Sequence, residues 1–258
     1  MKYPKLNVTI DPKSIINNWL FFLLEDNYFL DEFEKVIFGE HQGIEKQLKA
    51  EGDKNNKKKI ITYYVNDLYK KKAKIFTLQK NSIDKCWGEI DTKVFGSLSN
   101  MLNTDWNGID KIDCNIGITQ IFPRDIDKHS FEIYYQDYPF RSLAVILHEI
   151  THFIYAKKWH EIFPEDKSVT FEAPHPNWHL SEIMAPIINS EPLLRQFIPD
   201  AETKSYNEYT KSPINKSDIN ISIQGFFVQN YLNFKSSGKS IEEFLKFARL
   251  KAKDIKFE

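Results

Sequence analysis

The sequence is poor in cysteine. Cys86 and Cys114 are the only two in 258 residues, too few for a disulfide scaffold, and their spacing matches no zinc knuckle or redox pair. They are expected to be thiols of the core. Charge of one sign is lacking as well. Lys and Arg number 35 against 36 Asp and Glu, so nothing draws the whole chain to nucleic acid or an anionic membrane. Long apolar runs are absent from the N-terminal region. The opening MKYPKLNVTIDPKS has no apolar core or small-residue cleavage site of a secretory signal, and the apolar run Trp19 to Leu24 is far short of the roughly 20 residues of a membrane span. These absences lead to the expectation of a cytoplasmic protein without a membrane or nucleic-acid partner.

What is present suits a globular domain. Hydrophobic residues make up 41% and charged residues 28%, and 20 Phe with 12 Tyr imply an aromatic core. Residues 14–38 read as one buried helical stretch, with Ile15, Ile16, Trp19, Leu20, Leu23, Tyr28, Leu30, Phe33, Val36 and Ile37 at helical spacings. Gly39 and Gly43 end it. The lysine-rich segment 51–59 lacks interleaved aromatics and reads as a solvated loop. Residues 60–80 and 82–103 read as helices, and Trp106-Asn107-Gly108 as a turn.

Alternation of Ile112, Cys114, Ile116 and Ile118 predicts a strand, ended by Pro123 and the polar run 124–128. Phe131 to Tyr135 predicts a second strand. Helices follow over 141–158, 177–190 and 217–234. Gly238 closes the last of these, and Ser240-Ile241-Glu242-Glu243 has the spacing of a capping box that opens one more. The fold class is α+β: a small sheet of three or four strands, with helical N- and C-terminal regions. The expected division is 1–104, mainly helical, and 105–258, carrying the motif at 143–155 and the C-terminal helices, either as two regions or as one continuous domain.

Chemistry concentrates in residues 143–155, Leu-Ala-Val-Ile-Leu-His-Glu-Ile-Thr-His-Phe-Ile-Tyr. On a helix His148 and His152 share one face, one turn apart, so both imidazoles can reach one metal ion. Glu149 is rotated about 100° from His148. That sets it beside the ion, where a carboxylate can take a proton from a water whose pKa zinc lowers toward about 7. Burying three such polar groups among Val145, Ile146, Leu147, Ile150, Phe153 and Ile154 costs several kcal/mol unless they are paired, and a metal supplies the pairing.

The string His-Glu-Ile-Thr-His resembles the active-site helix of the zincin metallopeptidases, in its glutamate-zincin (thermolysin-like) form. The resemblance is firm over 143–155 and loose over about 105–190. It implies a Zn2+ cofactor, a peptide or protein substrate, and a mixed sheet over the helix whose edge strand pairs with extended peptides; Phe131 to Tyr135 is a candidate for that edge. It also implies a third protein ligand. The metzincin position, six after His152, is Lys158, so that variant fails. A Glu from a later helix is expected instead. Glu182 is favoured, on a helix N-capped by Asn177 with small Ala185 one turn on. Pro186 stands four residues after it, where such enzymes often carry an acid. Glu172, nineteen residues clear of His152, lies in a strand-like or loop segment. Glu172, His175 and His179 stay open as alternatives. Tyr206 and Tyr209 are candidate oxyanion donors, and His41, His129 and His160 are read as surface or structural. The expected activity is zinc-dependent peptide-bond hydrolysis with Glu149 as general base. The competing reading is an inactive zincin-fold binding protein with a structural or vestigial metal site.

Overall fold

The structure is a computed structural model and describes residues 2–166, 171–199, 201, 207–214, 221–253 and 255. It is mixed α and β, and contacts divide it into two compact units.

The first unit comprises 5–89 and 111–142. Its elements are β1 (Lys5–Thr9), α1 (Pro12–Leu24), α2 (Leu30–Glu40), α3 (Gln42–Ala50), α4 (Lys54–Gly88), β2 (Lys111–Gly117), β3 (Arg124–Asp125) and β4 (Ser130–Tyr134). The sheet order is β1-β2-β4-β3. β2 runs parallel to both β1 and β4, and β3 is antiparallel to β4. Ile15, Ile16 and Trp19 of α1, Ile61, Val65 and Phe76 of α4, and Ile112, Cys114, Ile116 and Ile133 of the strands are buried in this unit. Neither cysteine forms a disulfide.

Four local expectations are corrected. Residues 14–38 form two helices, not one. Asn27 causes the break: its Nδ2 donates to the carbonyls of Phe21, Phe22 and Glu25, and its Oδ1 accepts from Phe29 N. A side chain that satisfies the last turn's carbonyls replaces the helix's own next turn. Tyr28, expected in the core, is exposed there. The lysines at 54–59 do face solvent for the most part, but on a helix: Asp53 Oδ1 accepts from Asn56 N at 2.9 Å and N-caps α4. α4 then runs without interruption through residue 81, where a boundary is expected, because no Gly or Pro intervenes before Gly88. Finally, β4 is not a free edge along its whole length: its first residues are paired with β3. The Asp125 side chain accepts from Lys128 N at 2.9 Å, a tight turn that folds Arg124 and Asp125 back beside Ser130 and Phe131.

The second unit comprises 1–4, 90–110 and 143–258. Its helices are α5 (Asp91–Leu102), α6 (Pro139–Ile162, its first turn in the other unit), α7 (Pro176–Asn189), α8 (Pro192–Arg195), α9 (Asn207–Lys211), α10 (Ile223–Ser236) and α11 (Ile241–Ala252). Gly108 has φ +91°, which the turn at 106–108 requires, and Gly238 has φ +69° just after α10. The Ser240–Glu243 capping box is present in both directions. The expected helix over 217–234 begins at Ile223, with Ser222 as its N-cap; residues 217–220 lie outside the described residues. Lys158, where a metzincin histidine would stand, has a structural task. Its buried Nζ donates to the Asn103 carbonyl at 2.9 Å and to Glu242 Oε1 at 2.5 Å, tying α6 to the end of α5 and the start of α11. Among the described residues no helix is long and apolar enough to cross a membrane.

Candidate metal centre

α6 is apolar on nearly every side, and the packing follows. Over residues 142–156 every residue is buried except His148, which is partly exposed. α7 is enclosed as well, with Asn177 to Asn189 all buried. Its N-cap is His175, whose Nδ1 accepts from Asn177 N at 3.1 Å, so the expected cap at Asn177 is displaced by two residues. The displacement has a cause: Pro176 fits the first helical position, where a backbone N–H is not needed.

These two helices bring three donor groups together. His148 Nε2 lies 3.0 Å from His152 Nε2. Glu182 Oε2 lies 3.4 Å from His148 Nε2, and its Oε1 lies 3.5 Å from His152 Nε2. The side chains of His152 and Glu182 are 1% and 3% exposed, and that of His148 is 13% exposed. The cluster is thus closed on two sides and reaches solvent through His148.

Two ligands at about 2.0–2.1 Å from a tetrahedral ion are roughly 3.3 Å apart. Edges of 3.0, 3.4 and 3.5 Å come close to that triangle. Among the described residues this is the cluster of His, Cys, Asp and Glu able to hold a metal ion. The donor set fits: two imidazoles and one carboxylate suit first-row divalent metals, and a cation offsets the burial of the carboxylate.

The other expected residues are placed as follows. Glu149 is buried, 4% exposed, on the same turn of α6 as His148. Glu172 is exposed in a bend before α7. His179 is buried in α7, three residues before Glu182, with its Nδ1 2.6 Å from Tyr209 Oη. Burial pushes the His179 imidazole below its usual range, opposed by a hydrogen bond to the Pro174 backbone and by the Glu182 charge. Tyr206 lies outside the described residues. His41 is structural and not at the surface: it is buried, its Nδ1 3.0 Å from Tyr64 Oη and its Nε2 2.9 Å from the Ile118 carbonyl. His129 adopts a left-handed conformation beside β4, and His160 packs its ring on Phe171.

Sequence reasoning passes over two residues at this site. Thr151, inside the motif, and Asn189, at the end of α7, are fully buried and joined across the two helices. The available signal is spacing: Asn189 is seven residues after Glu182, which returns a helix to the same face.

Compared with protein-family models, with curated proteins and with solved structures, the chain matches none.

Proposed function

We propose that this protein is a zinc-dependent hydrolase of peptide bonds. The convergence of His148, His152 and Glu182 carries the proposal. Two histidines one turn apart and a glutamate from a second helix are the ligand set of a catalytic zinc site that keeps one position open. Held there, zinc supplies Lewis acidity toward a carbonyl oxygen and toward water.

The protein's own residues do the rest. His148 and His152 present their rings from one enclosed stretch of α6, one helical turn apart. Glu182 contributes negative charge from a side chain with almost no contact with bulk water. Glu149, one residue after His148, takes a proton from the attacking water and delivers it to the departing amine. A purely structural metal site needs no such base, which favours an enzyme over an inactive binding protein. The partial exposure of His148 supports approach of a substrate carbonyl from that side.

Elemental analysis of the purified chain beside His148→Ala tests the metal. About one zinc per chain, lost in the variant, is expected; no metal in either after zinc is added back overturns the proposal. A quenched-fluorescent peptide library then tests the reaction. Glu149→Gln should keep its zinc and lose activity by about 10²–10⁴-fold. Equal activity in wild type and Glu149→Gln would remove the assigned base.

A further inference from the structure

Thr151 immediately precedes His152, and Leu147 immediately precedes His148. The Thr151 hydroxyl oxygen lies 2.7 Å from the Leu147 carbonyl and 2.8 Å from Asn189 Oδ1, and both Thr151 and Asn189 are fully buried. A hydroxyl has one proton, so it cannot donate to both. With the Asn189 amide turned over, its nitrogen donates to Thr151 Oγ1 while the hydroxyl donates to Leu147. That arrangement gives the hydroxyl one donor and one acceptor role and joins the amide to the turn that carries both imidazoles.

On α7 the same amide stands two turns beyond Glu182. Seven residues advance a helix about 10.5 Å and return within about 20° of the same direction. Pro186 lies between the two. It has no N–H for the Glu182 carbonyl, and its ring crowds that carbonyl. The backbone bond that would tie residue 182 to the following turn is therefore missing, so α7's own ladder is weakest at the residue that must be placed most accurately. An anchor on the far side of the proline restores the constraint.

We infer that Asn189, through Thr151, is a positioning residue that holds Glu182 in register with the His148–His152 pair. This rests on the metal reading of that cluster. A buried amide–hydroxyl pair that served packing alone would lower stability when broken and leave metal affinity where it was. A pair that sets the ligand triangle lowers affinity in a chain that stays folded.

The test is zinc affinity, by competition with a chromogenic chelator, on chains shown to be folded by circular dichroism. Thr151→Val keeps the side chain's shape and loses its hydrogen bonds; Asn189→Ala removes the partner. Each should weaken zinc binding about tenfold or more, within the 10–100-fold that loss of a group orienting the ligands costs. Thr151→Ser should return affinity to within about twofold. The Thr151→Val/Asn189→Ala double variant should be no weaker than the worse single variant, because both break one interaction. Ser240→Ala, which loosens the distant cap of α11, should lower the melting temperature without changing affinity. Affinities within about twofold of wild type in both Thr151→Val and Asn189→Ala overturn this inference and leave the metal site standing. No zinc in the wild type overturns both. Weakened zinc binding in a chain that cleaves no peptide supports this inference and sinks the peptidase reading.

Discussion

Both units bury glutamates, and Glu132 of one and Glu182 of the other are treated differently. In the sheet-bearing unit Glu132 sits on β4, 5% exposed, in register with Asn115 of β2. Its Oε1 accepts from Asn18 Nδ2 at 2.5 Å and from Ser14 Oγ at 3.4 Å, an amide and a hydroxyl from α1. Burial pushes its carboxyl up to about 8, so near neutral pH it carries a proton. In the helical unit Glu182 is as deeply enclosed, but it faces two imidazoles. Neutral partners let a buried acid escape its desolvation cost by keeping its proton. Imidazoles that share one focus with a carboxylate can instead be joined to it by a cation. Depth of burial therefore does not separate the two carboxylates; the chemistry of their neighbours does.

The largest expected effect strikes the second glutamate. Glu182→Gln keeps the shape and removes the charge. Zinc affinity should fall by at least about a thousandfold, beyond the 10–100-fold of an orienting partner. A calorimetric titration of zinc into both chains measures it. A change of less than tenfold would show that a neutral amide serves as well, and the contrast between the two glutamates would collapse.

The same contrast explains what the sequence makes legible. The spacing of His148 and His152 follows from 3.6 residues per turn, and the helix that carries them is recognisable by its apolar run. Glu182 can be picked out because Leu180 to Ile188 reads as a helix with a buried stripe. Glu132 is passed over: in Phe-Glu-Ile-Tyr-Tyr a glutamate reads as the polar face of a half-exposed strand, yet α1 covers that face with Asn18 and Ser14. The partners are 114 and 118 residues away in the chain, and no local pattern announces them. β1 is missed for a related reason. Lys5–Thr9 is only five residues long and becomes a strand by pairing with β2, 106 positions on. The break at Asn27 and the cap at Asp53 depend on where one polar side chain points, which apolar spacing does not encode.

Glu132 supplies the next effect, a pH dependence. Its folded pKa is raised to about 8 from the usual 4.5, mainly by burial. The folded state then holds the proton more tightly than the unfolded chain. The stability this contributes is complete below about pH 4.5 and is lost as pH rises through about 8. Tyr69 on α4, whose phenol burial also pushes up, stays neutral across this window. Glu132→Gln should flatten that part of the profile. Relative to wild type it should gain on the order of a few kcal/mol at pH 9 and little at pH 5. Chemical denaturation at the two pH values reads this directly. A gain equal at both would mean that Glu132 is ionised in the folded chain and is held by charge after all.

The smallest effect separates the two neutral partners of Glu132. At 3.4 Å the Ser14 hydroxyl is at the long limit of a hydrogen bond, whereas the Asn18 amide at 2.5 Å is close. Ser14 lies in the first turn of α1, where alanine is the better helix former by a few tenths of a kcal/mol. Loss of a weak bond and gain of propensity should nearly cancel, so Ser14→Ala should shift the unfolding free energy by no more than about 0.5 kcal/mol at pH 6. The hydroxyl favours the ionised carboxyl, so its removal should also move the pH-dependent loss of stability slightly upward. A loss above about 1.5 kcal/mol at pH 6 would mean that the hydroxyl bonds the protonated acid as firmly as the amide does. Glu132 would then belong to a fully coupled polar network, as strictly placed as Glu182, and what distinguishes the two glutamates would be the basicity of their partners alone.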